Sequence, residues 1–233
     1  MIITLDGPAG SGKSTTARAV ADRLGYLYLD TGAMYRTVAL AFLRSDTPPT
    51  SEAADTLLPE IAVSVAHVDG AMHVALNGDD VTRQIRTQAV GEMASQISTL
   101  RAVREKMVAE QRRIGHTQDK TVGGVVLDGR DTGTVVFPNA DLKIFMTADL
   151  KERARRRQAQ YAEEGHTVSL DAICEEIAAR DRKDRERDLA PLRKADDAVV
   201  LDTTNRTIDE QVTFVVDHVK AIEERGTSFS ASD

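Results

Sequence analysis

Residues 7–14 read Gly7-Pro8-Ala9-Gly10-Ser11-Gly12-Lys13-Ser14, a full match to G-x-x-x-x-G-K-[ST]. Apolar Ile2 to Leu5 run into this stretch as a short buried strand. Ser14 to Leu24 follow with helical spacing through Ala17, Val20, Ala21 and Leu24, closed by Gly25. Strand, glycine loop and helix in that order restrict the chain to an α/β fold around a phosphate-binding loop. The glycines let the backbone curl until successive N–H groups point inward at phosphate oxygens, and the helix N-terminus adds its partial positive charge. Gly7, Pro8, Ala9, Gly10, Ser11, Gly12, Lys13, Ser14 and Thr15 are therefore the candidate ATP contacts. Lys13 would reach the β- and γ-phosphates, and the Ser14 hydroxyl would ligate the Mg²⁺ that accompanies ATP. The motif points to a nucleoside triphosphate and does not say what its energy is used for.

Strand-like and helix-like segments alternate along most of the chain. Tyr26–Leu29, Val122–Asp128, Leu142–Met146 and Ala198–Leu201 are short, mostly apolar runs of the kind buried in parallel sheets. Met34–Arg44, residues 86–114 and Ile208–Glu224 read as helices, and Pro48-Pro49 marks a loop. Residues 61–82 alternate instead. Turn signals at Asp69-Gly70 and Asn77-Gly78 predict a small antiparallel insertion there. Asp149–Asp188 is dense in both charges and is expected to form helices. The tail from Gly226 to 233 is expected to be disordered.

Charge and length then remove whole classes. Thirty Lys+Arg stand against 37 Asp+Glu, a net charge of -7, and there is no tryptophan. A duplex-binding face or an aromatic platform for single strands is not expected from that balance. No apolar run approaches the ~20 residues of a membrane span, and no basic, apolar leader precedes Ile2. Cys174 is the only cysteine, so no intrachain disulfide is possible and a reducing, cytoplasmic setting is expected. The five histidines form no ligand-like cluster, and no separate apolar helical stripe asks for a partner, so a monomer is expected. A regulatory GTPase would need an Asn-Lys-x-Asp reader, which is absent. At 233 residues a small-molecule kinase is the natural reading.

Three further segments carry candidate chemistry. In Asp30-Thr31-Gly32-Ala33-Met34-Tyr35-Arg36, Thr31 can cap the next helix and Arg36 can fork onto phosphate oxygens. The same residues could be a capped turn with a surface arginine. Val126-Leu127-Asp128-Gly129-Arg130-Asp131 ends a buried strand at the edge where open parallel sheets place ligands, or is an ordinary strand exit. Arg180, Asp184 and Arg187 fall within roughly 60° of one helix face. They could aim at a polyphosphate or form a surface ion-pair ladder, and Arg153, Arg156 and Arg157 pose the same ambiguity.

Taken together, residues 7–14, 30–36, 180–187 and the run Asp128-Gly-Arg-Asp-Thr-Gly-Thr-Val-Val-Phe-Pro138 resemble the bacterial cytidylate kinases among P-loop nucleoside monophosphate kinases. The resemblance implies a three-layer P-loop fold with a central parallel sheet, a small antiparallel β insertion in the monophosphate-binding domain and a helical lid. It implies a discontinuous core (1–30, 105–150 and 190–225), a monophosphate-binding domain (31–104, insertion 61–82) and a lid region (151–189). It implies transfer of the ATP γ-phosphoryl group to CMP or dCMP with Mg²⁺. Thr31, Arg36, Arg130 and Arg187 would hold the CMP phosphate, Ser95, Arg104 and Asp131 would read cytosine, and Arg180 with Asp184 would contact the sugar. Lys13, Arg130, Arg180 and Arg187, with Arg153 and Arg157 from the lid, would neutralise the transferred group. The nearest alternatives are UMP/CMP, thymidylate or shikimate-type kinases and, in another class, a nucleotide-binding regulator with no acceptor.

Overall fold

A computed structural model of the chain describes residues 1–68, 70–163 and 165–230, with side chains except at 118–121 and 226–230. Its larger sheet has five strands in the order β2 (Leu27–Asp30), β6 (Val125–Gly129), β1 (Ile2–Asp6), β7 (Leu142–Thr147), β8 (Val199–Asp202). Strand β1 is buried along its whole length and pairs parallel with β6 on one side and β7 on the other. A strand covered on both faces has to be apolar throughout, which is why Ile2, Ile3 and Leu5 show no alternation. The exceptions on β1, Thr4 and Asp6, are buried too.

The chain divides into two compact units, Met1–Tyr28 with Gln118–Asp233, and Leu29–Thr117. In the first, α1 (Lys13–Leu24) packs on α8 (Ile208–Ser230), where Thr16 donates to Gln211 at 2.7 Å inside the core. Helices α6 (Leu150–Glu163) and α7 (Leu170–Glu186) pair around Ala154, Ile173 and Ile177. The charge-rich stretch is thus a helical pair with its own small apolar seam.

In the second unit, α2 (Thr31–Arg44) packs on α4 (Gln88–Ile97) around Phe42, Ile85 and Ile97. The short α3 (Ser51–Leu57) and most of α5 (Arg101–Val122) complete its helices. The expected insertion is present as β3 (Val63–Val68), β4 (Ala71–Leu76) and β5 (Asp79–Asp80), antiparallel throughout. Val68 lies opposite Ala71 at its first turn, whose Asp69 lies outside the described residues. At the second turn Asn77 and Gly78 both adopt positive φ, 52 and 95°, as a tight hairpin requires.

Some boundaries differ from the expectation. Helix α2 begins at Thr31, and its cap is Asp30, whose Oδ1 accepts from Ala33 N at 2.8 Å. Thr31 is the first helical residue, so its expected capping role belongs to its neighbour. A carboxylate accepts the orphan N–H and complements the helix dipole as well. Helix α5 runs to Val122, so β6 starts only at Val125. Helix α8 continues to Ser230, so the segment 226–230 is helical where a disordered tail was expected, and 231–233 lie outside the described residues.

Candidate functional site

The loop between β1 and α1 wraps its own lysine. Gly12 stands before α1 in the left-handed region, with φ 90°, where a side chain would be strained. Lys13, 6% exposed, donates from Nζ to Pro8 O at 2.7 Å and lies 3.4 Å from Ser11 Oγ. Burial, with the charge of Arg130 and then Arg180, pulls its ammonium well below the ordinary lysine range, against opposition from Asp128 and Asp6. The first unit therefore carries a cluster of positive charge that an anion would relieve.

Asp128, at the end of β6, is a residue the sequence reading gave no role. Its Oδ2 accepts from Ser14 Oγ at 2.6 Å and its Oδ1 from Tyr28 Oη at 3.0 Å. A hydroxyl and a carboxylate held together beside the phosphate loop are hard oxygen donors of the kind Mg²⁺ takes. The signal was legible, since a buried strand ending in Asp beside a phosphate-binding loop is the usual second half of such a site.

Arg130 follows one residue beyond β6. Its Nε meets Asp184 Oδ2 at 2.8 Å and its NH1 donates to Gly129 O at 3.2 Å. Burial alone would lower the Arg130 pKa, but Asp184, with Asp128 and Asp181, outweighs it and raises it. Burial would likewise raise Asp184, and Arg130 followed by Arg180 and Arg187 holds its carboxyl below the ordinary value instead. Asp184 thus reaches to the end of β6 and is no mere member of a surface ladder.

Arg187 corrects the helix-face expectation. It lies just past the end of α7 with extended backbone, φ -61° and ψ 138°. From there its NH2 still meets Asp131 Oδ1 at 3.4 Å, and its Nε donates to Ala190 O at 2.6 Å.

The two lid arginines expected on one face part company. Arg153 is buried: its NH1 donates to Ala9 O at 3.0 Å and meets Asp181 Oδ2 at 2.7 Å, and its Nε donates to Ala148 O. Its guanidinium braces the phosphate loop at Ala9. Arg157 is exposed over the Tyr161 ring at 4.5 Å and contacts Gln160 and the Tyr161 hydroxyl. Arg156 donates to Thr203 O at 2.6 Å, and Thr203 Oγ1 donates to Ser11 O at 2.9 Å, a second brace that sequence spacing did not reveal.

Asp6 was missed altogether. Oδ1 accepts from Thr132 N at 2.9 Å and Thr132 Oγ1 at 2.8 Å, while Oδ2 accepts from Gly133 N at 2.7 Å. Burial raises its pKa and these three bonds oppose the rise. A carboxylate in an otherwise apolar buried strand was the available signal, because a charge there needs a partner.

The remaining expected residues lie in the second unit. Thr31 is buried and Arg36 half-buried on α2, Ser95 is half-buried on α4, and Arg104 is 6% exposed on α5. The first unit holds Lys13, Arg130, Asp131, Arg180, Asp184 and Arg187.

A parallel sheet ordered β2-β6-β1-β7-β8, with a lysine-bearing glycine loop after its central strand and a carboxylate on the neighbouring one, defines a P-loop nucleotide-binding protein. A solved but uncharacterised protein from Eubacterium ventriosum shares the fold, with a TM-score of 0.51 at 10% identity over 94% of this chain and 98% of that one. The family model for cytidylate kinase matches residues 3–221. The cytidylate kinase of Salinibacter ruber is 59% identical over 227 residues, 97% of this chain and all of that one. The cytidylate kinase of Geobacter sulfurreducens is 44% identical over 95% of this chain and 92% of its own. The chain belongs to the cytidylate kinase family.

Among the described residues, no helix is long and apolar enough to cross a membrane.

Proposed function

We propose that the chain transfers the γ-phosphoryl group of Mg-ATP to the 5′-phosphate of CMP or dCMP, giving CDP or dCDP and ADP. Beyond family membership, one observation carries the reading furthest. The Ser14–Asp128 pair beside Lys13, together with the Arg130–Asp184 and Arg187–Asp131 pairs, joins a donor-phosphate loop to anion-binding arginines within one unit.

Residues 7–15 would cradle the ATP phosphates, with Lys13 moving from Pro8 O onto the β- and γ-oxygens. Ser14, with Asp128 behind it, would hold Mg²⁺, which supplies charge neutralisation on those phosphates. Arg130 and Arg187 would hold the CMP phosphate, the role that the family resemblance also gives to Thr31 and Arg36. Arg180 and Asp184 would contact the sugar.

Cytosine offers an amino donor at position 4 beside N3 and O2 acceptors. Asp131 and the Ser95 hydroxyl would accept from the amino group, and Arg104 would donate to N3 or O2. Uracil turns a carbonyl toward the same carboxylate and is disfavoured, because a buried acceptor would face another acceptor.

An oxygen of the CMP phosphate attacks the γ-phosphorus as the bond to the β,γ-bridging oxygen breaks, and ADP leaves with that oxygen. The attacking group's second pKa is ~6, so it is already ionised near neutral pH and no general base is required. Catalysis then rests on positioning and charge neutralisation. Arg157, exposed on α6, would be the lid arginine that neutralises the transferred group, whereas Arg153 would act through the phosphate loop that it holds at Ala9 O. The single cysteine suits a cytoplasmic setting, and with no separate apolar helical stripe in the sequence the chain would act as a monomer.

The test is a coupled nucleoside-diphosphate assay with Mg-ATP against CMP, dCMP, UMP, AMP, GMP and dTMP. Turnover strongly favouring CMP and dCMP is expected. Equal use of UMP would overturn the base-reading assignment, and ATP binding without any diphosphate product would overturn the kinase reading.

A further inference from the structure

We infer that Asp6 is a positioning residue for the acceptor side of the site: it locks the turn at Thr132–Val136 onto β1 and so fixes where Asp131 and Arg130 stand. The inference rests on the assignment of those two residues to CMP.

Side chains alternate along a strand, so Thr4 and Asp6 of β1 point to the same face. The turn Thr132–Val136 packs on that face as a single π turn, and Thr132 and Gly133 are both buried. Asp6 accepts from two of the turn's backbone donors, Thr132 N and Gly133 N, and Thr132 Oγ1 joins them. Both carboxylate oxygens are used.

Gly133 passes so close over the strand that a Cβ there would lie 2.8 Å from Thr4 Oγ1 and 3.3 Å from the Lys143 side chain. Lys143 faces the same turn from β7, opposite Thr4 in register, and its ammonium binds Pro138 O and, at 2.8 Å, Asp197. The turn is therefore held at both ends, by an anion at its start and a cation just past its finish.

This arrangement couples two loops that are far apart in sequence. Asp6 is paired with Gly129 in register, and Gly7 of the phosphate loop follows it directly. Asp131, which meets Arg187, precedes Thr132 with no residue between. A loosened turn would first displace Asp131 and Arg130, while the phosphate loop retains its braces from Arg153 and Thr203. Reaction rates are steep in such displacements, and a misplacement of about 1 Å can cost ~100-fold.

The carboxamide of Asp6→Asn keeps the shape of the side chain but turns one acceptor into a donor facing an N–H. For D6N, kcat/KM for CMP should fall about 10–100-fold while KM for ATP and binding of a fluorescent ATP analogue stay unchanged. Thr132→Val, which removes one donor, should shift CMP kinetics in the same direction by less, and Thr132→Ser should restore them. These two variants decide the matter should D6N fail to fold. Parallel loss of ATP affinity, or CMP kinetics indifferent to D6N or to T132V, overturns the inference. Asp131→Asn is measured alongside. If D131N impairs CMP use and D6N does not, the inference alone fails; if D131N leaves CMP use intact, the assignment beneath it fails.

Discussion

At the residue scale, Lys13 shows function held against stability. Its ammonium is buried near Arg130 and Arg180, opposed by two carboxylates and bonded to its own loop's carbonyl. Its folded-state pKa lies below the unfolded value of ~10.4, so the folded protein gives up this proton more readily than the unfolded chain. The unfolded state then binds more protons, and stability from this group rises with pH until ~10.4 is passed. Lys13→Met removes the charge, while Pro8 O keeps the Ser11 hydroxyl as a donor at 3.0 Å. Ligand-free K13M should therefore melt above the wild type at pH 7, with the gap closing as pH rises. Its kcat should drop by about 10²–10³-fold, the usual cost of losing a preorganised donor at a developing charge. A K13M protein less stable than wild type at neutral pH would show that the lysine's loop contacts outweigh its desolvation.

At the scale of elements, the seating of the Thr132–Val136 turn on β1 makes a prediction of its own. Gly133→Ala would press a methyl against Thr4 Oγ1, and overpacking of a tight site costs about 1–3 kcal/mol. Thr4 Oγ1 is buried with no hydrogen-bond partner among the described residues. Removing it is cheap in hydrogen bonding and makes room, so Thr4→Ala should return part of the stability lost by G133A in chemical denaturation. Strict additivity of the two substitutions would mean that the methyl collides elsewhere.

The same turn shows where sequence reasoning stops. Strand β1, the glycine loop and α1 were legible because each is dictated by residues within a few positions of one another. The hairpin insertion was legible for the same reason, from alternation and the Asn77-Gly78 turn. The π turn was not, because its hydrogen-bonding partner Asp6 lies 126 positions away along the chain. Arg153 and Arg157 looked equivalent by spacing, yet the seam between α6 and α7 buries one and leaves the other over Tyr161. Arg187 was placed on a helix face that ends one residue before it, and it meets Asp131 only because the chain past α7 turns back toward that residue.

For the whole molecule, charge sets behaviour in acid. The chain carries 37 carboxylate side chains against 30 permanent cations, so acidification moves it from net negative to strongly positive. Several carboxyls with depressed pKa values, such as Asp197, Asp202 and Glu210, are exposed, where solvent screens their partners. Asp184 differs, because its carboxylate is largely buried against Arg130. With a folded pKa below the unfolded ~3.9, its contribution is fully present above about pH 5 and is lost as pH falls through the folded value. Asp6, whose folded pKa is raised, acts in the opposite sense: protonation favours its folded form, and its contribution is lost as pH rises through that value. Asp184→Asn leaves the Arg130 guanidinium without its anion and should destabilise the protein at pH 7 by about 1–3 kcal/mol. The wild-type and D184N stability curves should then begin to converge as pH falls below the unfolded value of ~3.9, because protonation performs the same neutralisation in the wild type. Urea denaturation at a series of pH values reads this directly. A gap that stays constant from pH 7 to 3 would mean that Asp184 stabilises through shape and packing, leaving Arg130 to be positioned by something other than its partner's charge.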